Sequence, residues 1–268
     1  MIGVFDSGIG GLSILKALRE ELPQENFIYI ADSGHAPYGE RDEAHVVARS
    51  QAVATYLAGQ DIQALVVACN TATAAAIRLL RASYPLLPII GVEPALKPAV
   101  AMSHTGHISV LATRSTLASA KFLALLDSQS GLATFAMQAC DGLADAIEHD
   151  VNDQNATKLI ALCARYTTAR AQFGHQSGQI DTVVLGCTHY PFIKPLLHEL
   201  LGRTVQIVDN GEAVARQTRR LLSGQLAVGN STLVSGRVRL FATGQPQTLQ
   251  AAAKRWLGVD TPVDLLLI

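Results

Sequence analysis

Two stretches, Leu65-Val66-Val67-Ala68-Cys69-Asn70-Thr71 and Val183-Val184-Leu185-Gly186-Cys187-Thr188-His189, share one pattern. Each is an apolar run, then a small residue, a cysteine and two polar residues. A short, continuous apolar run rich in Val and Leu suits a strand of a parallel sheet covered on both faces. Ligands of open α/β sheets bind at the carboxyl ends of such strands, which is where both cysteines fall.

Working outward, strands and helices alternate. Strands are expected at 2–5, 27–31, 65–68 and 89–92. Helices are expected at 12–22, stopped by Pro23, at 43–58, closed by Gly59, and at 72–84, stopped by Pro85. The order then restarts: a strand at 107–111, a helix at 116–126, a strand near 134–138, helices around 142–149 and 155–170, and the second cysteine-bearing strand at 182–185. A helix at 191–201 follows, with Pro191 near its first turn, where a missing N–H costs little. Beyond 206–209 come a helix at 212–222, a loop at 224–236, a strand at 238–242 and a helix at 248–257. Alternation of this kind implies βαβ units. Because the order of parts repeats, the sequence predicts an α/β fold of two similar domains. Their sheets would be mostly parallel and flanked by helices, related by pseudo-two-fold symmetry, with the active site in the cleft between them. The first domain is expected to comprise 1–95 plus 208–268 and the second 96–207, with a crossing near 93–101.

The 268 residues are 49% hydrophobic and 16% charged, the composition of a compact soluble protein. A formal net charge of −1 with no basic stripe gives no reason to expect a nucleic-acid or anionic-membrane partner. No signal peptide is legible, and no apolar run approaches the roughly 20 residues that span a bilayer, so a cytoplasmic location is expected. The four cysteines, Cys69, Cys140, Cys163 and Cys187, have no C-x-x-C spacing and are expected to be free thiols in a reducing compartment. No metal site is expected.

Four polar clusters fall just past strands: Asp6-Ser7-Gly8-Ile9-Gly10-Gly11, the 32–41 segment with Pro37-Tyr38-Gly39, Cys69-Asn70-Thr71, and Cys187-Thr188-His189. Two thiols on opposite sides of one carbon could take a proton from one face and return it on the other. A lone Cys is more often a small buried hydrophobe, and Cys140 and Cys163 take that reading. The polar residues after Cys69 and Cys187 set those two apart. The glycine-rich loop lacks the spacing and Lys of a P-loop; it reads as a tight turn whose free N–H groups could also hold a carboxylate. Asp6 could cap the first helix or its own turn, His189 could be structural or could tune a thiol, and Glu148 on spacing alone is an ordinary helix carboxylate. His104 and His107 read as surface residues and Trp256 as packing.

The motifs Phe5-Asp6-Ser7-Gly8-Ile9-Gly10-Gly11-Leu12, Pro37-Tyr38-Gly39, Cys69-Asn70-Thr71-Ala72, Gly91-Val92-x-Pro94-Ala95, Gly186-Cys187-Thr188-His189-Tyr190-Pro191 and Val208-Asp209 resemble, in that order, those of the glutamate racemases of the aspartate/glutamate racemase family. The resemblance implies cofactor-independent interconversion of L- and D-glutamate and a role in supplying D-glutamate for peptidoglycan. It implies that Cys69 and Cys187 are the two bases, with Cys69 serving the D isomer, and that Asp6, His189 and Glu148 assist them. It places Asp6, Ser7, Tyr38, Gly39, Asn70, Thr71, Thr188 and His189 in contact with substrate. Homodimers are common in that family. Some members carry an N-terminal extension tied to activation by a cell-wall precursor, whereas this sequence starts at the first strand. No Lys in a pyridoxal-type context and no metal cluster is legible, so no cofactor is expected and the carbanion would rely on placement and hydrogen bonding. A racemase for another amino acid such as aspartate, a non-catalytic amino-acid-binding protein and a Cys69–Cys187 redox switch stay open as rival readings.

Overall fold

The computed structural model describes residues 1–150, 156–168, 172–223 and 236–268. The strands within them are β1 (Ile2–Asp6), β2 (Phe27–Ala31), β3 (Ala64–Val67), β4 (Ile89–Gly91), β5 (His107–Ala112), β6 (Thr134–Ala139), β7 (Thr182–Gly186), β8 (Gln206–Val208), β9 (Val238–Ala242) and β10 (Val263–Leu265). The helices are α1 (Leu12–Glu21), α2 (Glu43–Ala58), α3 (Asn70–Ser83), α4 (Leu96–Met102), α5 (Arg114–Ala118), α6 (Ala120–Asp127), α7 (Leu143–His149), α8 (Ala156–Thr168), α9 (Lys194–Leu201), α10 (Gly211–Leu222) and α11 (Pro246–Leu257). The chain forms two compact units, Met1–Val92 with Gly211–Ile268, and Glu93–Asn210. No helix among the described residues is long and apolar enough to cross a membrane.

The first unit holds a six-stranded sheet in the order β10-β9-β2-β1-β3-β4, and the second a four-stranded sheet in the order β6-β5-β7-β8. Every pairing among these strands is parallel, as the continuous apolar runs require. The order β2-β1-β3-β4 recurs as β6-β5-β7-β8. In each case the first strand of the unit is central, the second lies to one side, and the third, which precedes the cysteine, lies to the other.

Side-chain alternation puts each cysteine on a defined face. Leu65, Val67 and Cys69 join one core cluster with Phe5, Ile28 and Ile30, covered by Val53 and Leu57 of α2 and by Ala76, Ile77 and Leu80 of α3. Val183, Leu185 and Cys187 likewise share a cluster with Leu143 and Ile147 of α7 and Leu197 of α9, while Val184 faces a separate cluster with Leu96 and Phe122. Each fully buried Leu, Ile, Val or Phe contributes on the order of 2 kcal/mol. Each cysteine therefore continues the core-facing row of its strand and lies where that row runs out of sheet.

Several expected elements are corrected. The helix at 116–126 is two helices, α5 and α6, because Ser119 adopts an extended backbone (φ −69°, ψ 140°) and accepts the Phe122 N–H as the cap of α6. The helix at 191–201 starts as a 3-10 turn, Tyr190–Ile193, and α9 begins only at Lys194, with Pro195 in its first turn. The crossing near 93–101 contains α4, and β10 adds a strand that the sequence did not signal. Of the two capping roles open to Asp6, it caps its own turn, accepting the Gly8 N–H at 2.8 Å, whereas the cap position of α1 is Gly11 with no side-chain bond. The loop expected at 224–236, apart from Gly236, and the outermost positions of the helix expected at 155–170 lie outside the described residues.

At the foot of β7, buried Asp181 closes the turn between α4 and β5. Its Oδ1 accepts from Ser103 Oγ at 2.6 Å and from Thr182 Oγ1 at 2.8 Å, and its Oδ2 accepts from the N–H groups of His104 at 2.6 Å and Thr105 at 2.9 Å. Burial alone would raise its pKa, but these bonds outweigh it and hold the carboxyl at about 2, below its ordinary 3.8. The stabilisation is therefore complete above pH 4 and is lost as pH falls through about 2. Asp181→Ala is expected to cost about 2 kcal/mol at pH 7. In thermal unfolding the deficit against wild type should shrink as the pH is lowered towards 2.

Candidate active site

The candidate residues of the first unit lie where strand order reverses between β1 and β3. Asp6 ends β1 fully buried, and its Oδ1 accepts from Gly8 N–H at 2.8 Å and from Ser7 Oγ at 3.5 Å. The loop is packed so tightly that a Cβ on Gly11 would stand 2.6 Å from Asp6 Cβ and 2.8 Å from the Tyr29 hydroxyl, so only glycine fits. Cys69 follows β3 as the cap residue of α3, and its Sγ accepts the Ala72 N–H at 3.4 Å. The amino end of a 14-residue helix thus points at this sulfur and favours negative charge on it. The thiol lies 3.9 Å from Ser7 Oγ, giving the series Cys69, Ser7, Asp6.

Asn70 opens α3. It is 4% exposed, and neither its Nδ2 nor its Oδ1 has a hydrogen-bond partner among the described residues. A buried amide left unpaired costs about 1–3 kcal/mol, a cost that a ligand offering both donors and acceptors removes. Thr71, in the same first turn, is also buried.

Tyr38 and Gly39 lie in a 3-10 turn after the cis Ala36–Pro37 peptide. Gly39 is half-buried, whereas Tyr38 is fully buried with its hydroxyl donating to Asp32 Oδ2 at 2.5 Å. Arg49 binds both oxygens of the same carboxylate, at 3.0 and 2.9 Å, and Thr243 Oγ1 donates to Oδ1 at 2.8 Å. Burial opposes ionisation of Asp32, but these donors win and hold its carboxyl below the ordinary range. The Tyr38 hydroxyl, pushed far up by burial and the adjacent Asp32 charge, stays protonated as a donor. The structure thus commits this hydroxyl to the Asp32 hub, and it is the turn itself that the hub fixes in place.

In the second unit, strand order reverses between β5 and β7, and Cys187 follows β7. Its Sγ lies 3.7 Å from His189 Nδ1, and His189 Nε2 lies 2.6 Å from Glu148 Oε2 on α7. All three groups are buried. Burial disfavours an imidazolium, but hydrogen bonding to Cys187 and Glu148 together with their charges outweighs it, so His189 holds its proton well above the ordinary histidine range. Thr188 is buried beside Cys187. Gly186 permits the close strand approach: a Cβ there would meet Ala112 Cβ at 2.8 Å and the Leu111 carbonyl at 3.1 Å. By contrast, burial pushes the Cys140 thiol far up and the Cys163 thiol to about 11.

The expected residues therefore gather into two groups, one per unit. Asp6, Ser7, Cys69, Asn70 and Thr71 surround the reversal in the first sheet, with Tyr38 and Gly39 fixed through Asp32. Cys187, Thr188, His189 and Glu148 surround that in the second. Residues 113–116 were passed over in the sequence. The pairing of Ala112 with Gly186 puts Thr113 at the level of Cys187, and Ser115 Oγ is buried with no partner among the described residues. The signal was present, since Thr113-Arg114-Ser115-Thr116 is another polar cluster just past an apolar strand. Among the described residues no group of three or more His, Cys, Asp or Glu is placed to hold a metal ion.

Comparison with known proteins agrees with this arrangement. The family model for Asp/Glu/Hydantoin racemases matches residues 2–218. The chain is 45% identical over 262 residues to the glutamate racemase of Ectopseudomonas mendocina, covering 98% of this chain and 96% of that protein. Its fold is similar to the glutamate racemase isoform RacE1 of Bacillus anthracis, with a TM-score of 0.85 and 29% identity, covering 100% of this chain and 97% of that one. It is also similar to Escherichia coli glutamate racemase, solved with L-glutamate and the activator UDP-MurNAc-ala, with a TM-score of 0.83 and 30% identity over 100% and 98% of the two chains. Two parallel sheets, each ending in a cysteine at its point of strand reversal, thus belong to a chain of the Asp/Glu/Hydantoin racemase family.

Proposed function

We propose that this protein racemises glutamate without a cofactor by a two-base mechanism, and that it supplies D-glutamate for peptidoglycan. The observation that carries the reading is the matched placement of Cys69 and Cys187, each at the carboxyl end of the third strand of its unit and each backed by a carboxylate. Cys140 follows β6, the edge strand of its sheet, and Cys163 lies on α8, so neither ends the third strand of its unit. The names of the relatives support glutamate as the substrate.

In this mechanism one thiolate removes the α-proton and the other thiol returns a proton to the opposite face of the carbanion. Cys69 has the helix amino end to stabilise its charge and Ser7 with Asp6 to receive or return a proton. Cys187 has the His189 imidazolium held by Glu148. The Asn70 amide, unpaired among the described residues, offers its oxygen as acceptor to the ammonium and its NH2 as donor to the carboxylate of an amino acid. Because the α-proton is weakly acidic, the mechanism depends on donors fixed before the reaction rather than recruited during it.

Proton NMR of L-glutamate in D2O with the purified protein is expected to show loss of the α-proton signal alongside loss of optical rotation. Exchange with aspartate but not glutamate would move the substrate, and no exchange with either would sink the racemase reading. Cys69→Ser and Cys187→Ser are each expected to abolish racemisation; wild-type rates in both would refute the two-base assignment.

The raised pKa of His189 sets the direction of a pH effect. The bonded imidazolium is fully present below pH 6.5 and is lost as pH rises through the raised folded value. Glu148→Gln removes one of the charges that hold this proton. The alkaline limb of kcat should therefore move to lower pH in the variant, and a pH profile superimposable on wild type would count against the Glu148–His189 coupling.

A further inference from the structure

Tyr29 lies at the centre of β2, paired with Val4 of β1 and Leu240 of β9, and is completely buried. Its neighbours Ile28 and Ile30 face the apolar cluster under α2 and α3. Tyr29 points from the other face and carries a polar atom into a place where Phe would bury as much apolar surface. A buried hydroxyl is retained where it has a bonding task. Here the hydroxyl donates to the Gly8 carbonyl at 2.6 Å. The N–H of the same residue donates to Asp6 Oδ1 at 2.8 Å. Gly8 is thus held at one end by Tyr29 and at the other holds the carboxylate. Beyond that carboxylate lie Ser7 and, 3.9 Å from Ser7 Oγ, the Cys69 thiol. Gly11 packs closely against both Asp6 Cβ and the Tyr29 hydroxyl, so the loop and the tyrosine share one packing site.

We propose that Tyr29 is a positioning residue for the Cys69 half of the reaction: its hydroxyl fixes Gly8 and through it orients the Asp6 carboxylate and Ser7 hydroxyl beside the thiol. The proposal rests on the two-base reading. The hydroxyl bonds the Gly8 carbonyl, so its effect passes through the loop. Removing the hydroxyl frees the Gly8–Ile9 peptide, whose carbonyl it held, and the change passes through the Gly8 Cα to the Ser7–Gly8 peptide, whose N–H orients the Asp6 carboxylate. Proton transfer at Cys69 then slows while transfer at Cys187 keeps its own imidazole and carboxylate.

The test compares wild type, Tyr29→Phe and Gly11→Ala using L- and D-glutamate deuterated at the α-carbon. An equilibrium constant of one between the enantiomers requires kcat/KM to fall equally in both directions, by roughly 10- to 100-fold for a displaced supporting group. The isotope effects are expected to separate. For the enantiomer whose α-proton Cys69 removes, the D isomer in the family resemblance, the deuterium effect on kcat/KM should rise above wild type. For the other enantiomer it should stay at or below wild type, because the slowed step there is proton return. Gly11→Ala drives its Cβ against both Asp6 Cβ and the Tyr29 hydroxyl and should give the same asymmetry, while Tyr29→Phe keeps the ring and its apolar burial and decides the role of the hydroxyl. Unchanged isotope effects, or an equal rise in both directions, would overturn the role of Tyr29. Wild-type protein that exchanges no α-proton would instead overturn the racemase reading, so the two failures are distinct.

Discussion

In each sheet the chain lays its first strand in the middle, places the second on one side and then crosses to the other side for the third. Connections on either side of that reversal leave in opposite directions, so the carboxyl ends of the two central strands are not covered by one continuous loop. Asp6 and Cys69 occupy those ends in the first sheet, and Thr113 and Cys187 in the second. A parallel sheet has all its carboxyl ends on one edge, so loops distant in sequence meet there, and everything polar in the candidate site hangs from that constraint. The price is close backbone packing, which is why Gly11 and Gly186 stand where a single methyl group would collide with a neighbour.

The two thiols share a position but not a chemistry. Cys69 meets a helix amino end and the Ser7 hydroxyl, with the Asp6 carboxylate behind that hydroxyl. Cys187 lies beside an imidazole that keeps its proton through bonds to Cys187 itself and to the buried Glu148 carboxylate. In the proposed mechanism one thiol works beside peptide N–H groups and a hydroxyl, the other beside a charged imidazole. The two directions of proton transfer are therefore expected to respond differently to pH and to substitution even though the equilibrium they catalyse is symmetric.

Supporting hydrogen bonds are concentrated behind these groups rather than beside the surface. Asp32 gathers Tyr38, Arg49 and Thr243 from three separate segments onto one carboxylate. Tyr29 reaches from β2 to the glycine loop. Such buried bonds each contribute about 1 kcal/mol to stability, but losing one partner strands the other, so their larger role is to hold one geometry. That rigidity is what an enzyme without an electron-sink cofactor would need, since the protein must supply the carbanion's stabilisation by placement alone.

The sequence alone determined the alternation of strands and helices, the parallel sheets and the ends of strands where Cys69 and Cys187 fall, because each depends on local periodicity and on residues adjacent in the chain. It also marked Asp6, Ser7, Asn70, Thr71, Thr188 and His189, which directly follow apolar runs. Breaks that depend on one side chain competing for a backbone N–H, as at Ser119, were not legible. Only the tertiary structure decided that Glu148 meets His189, that Tyr38 gives its hydroxyl to Asp32, that Tyr29 bonds the glycine loop and that the Asn70 amide is buried without a partner among the described residues. Each of these joins residues from different elements through distances and burial, which the order of residues along the chain does not encode locally. Spacing along one element can place a side chain on a face; only packing decides what that face meets.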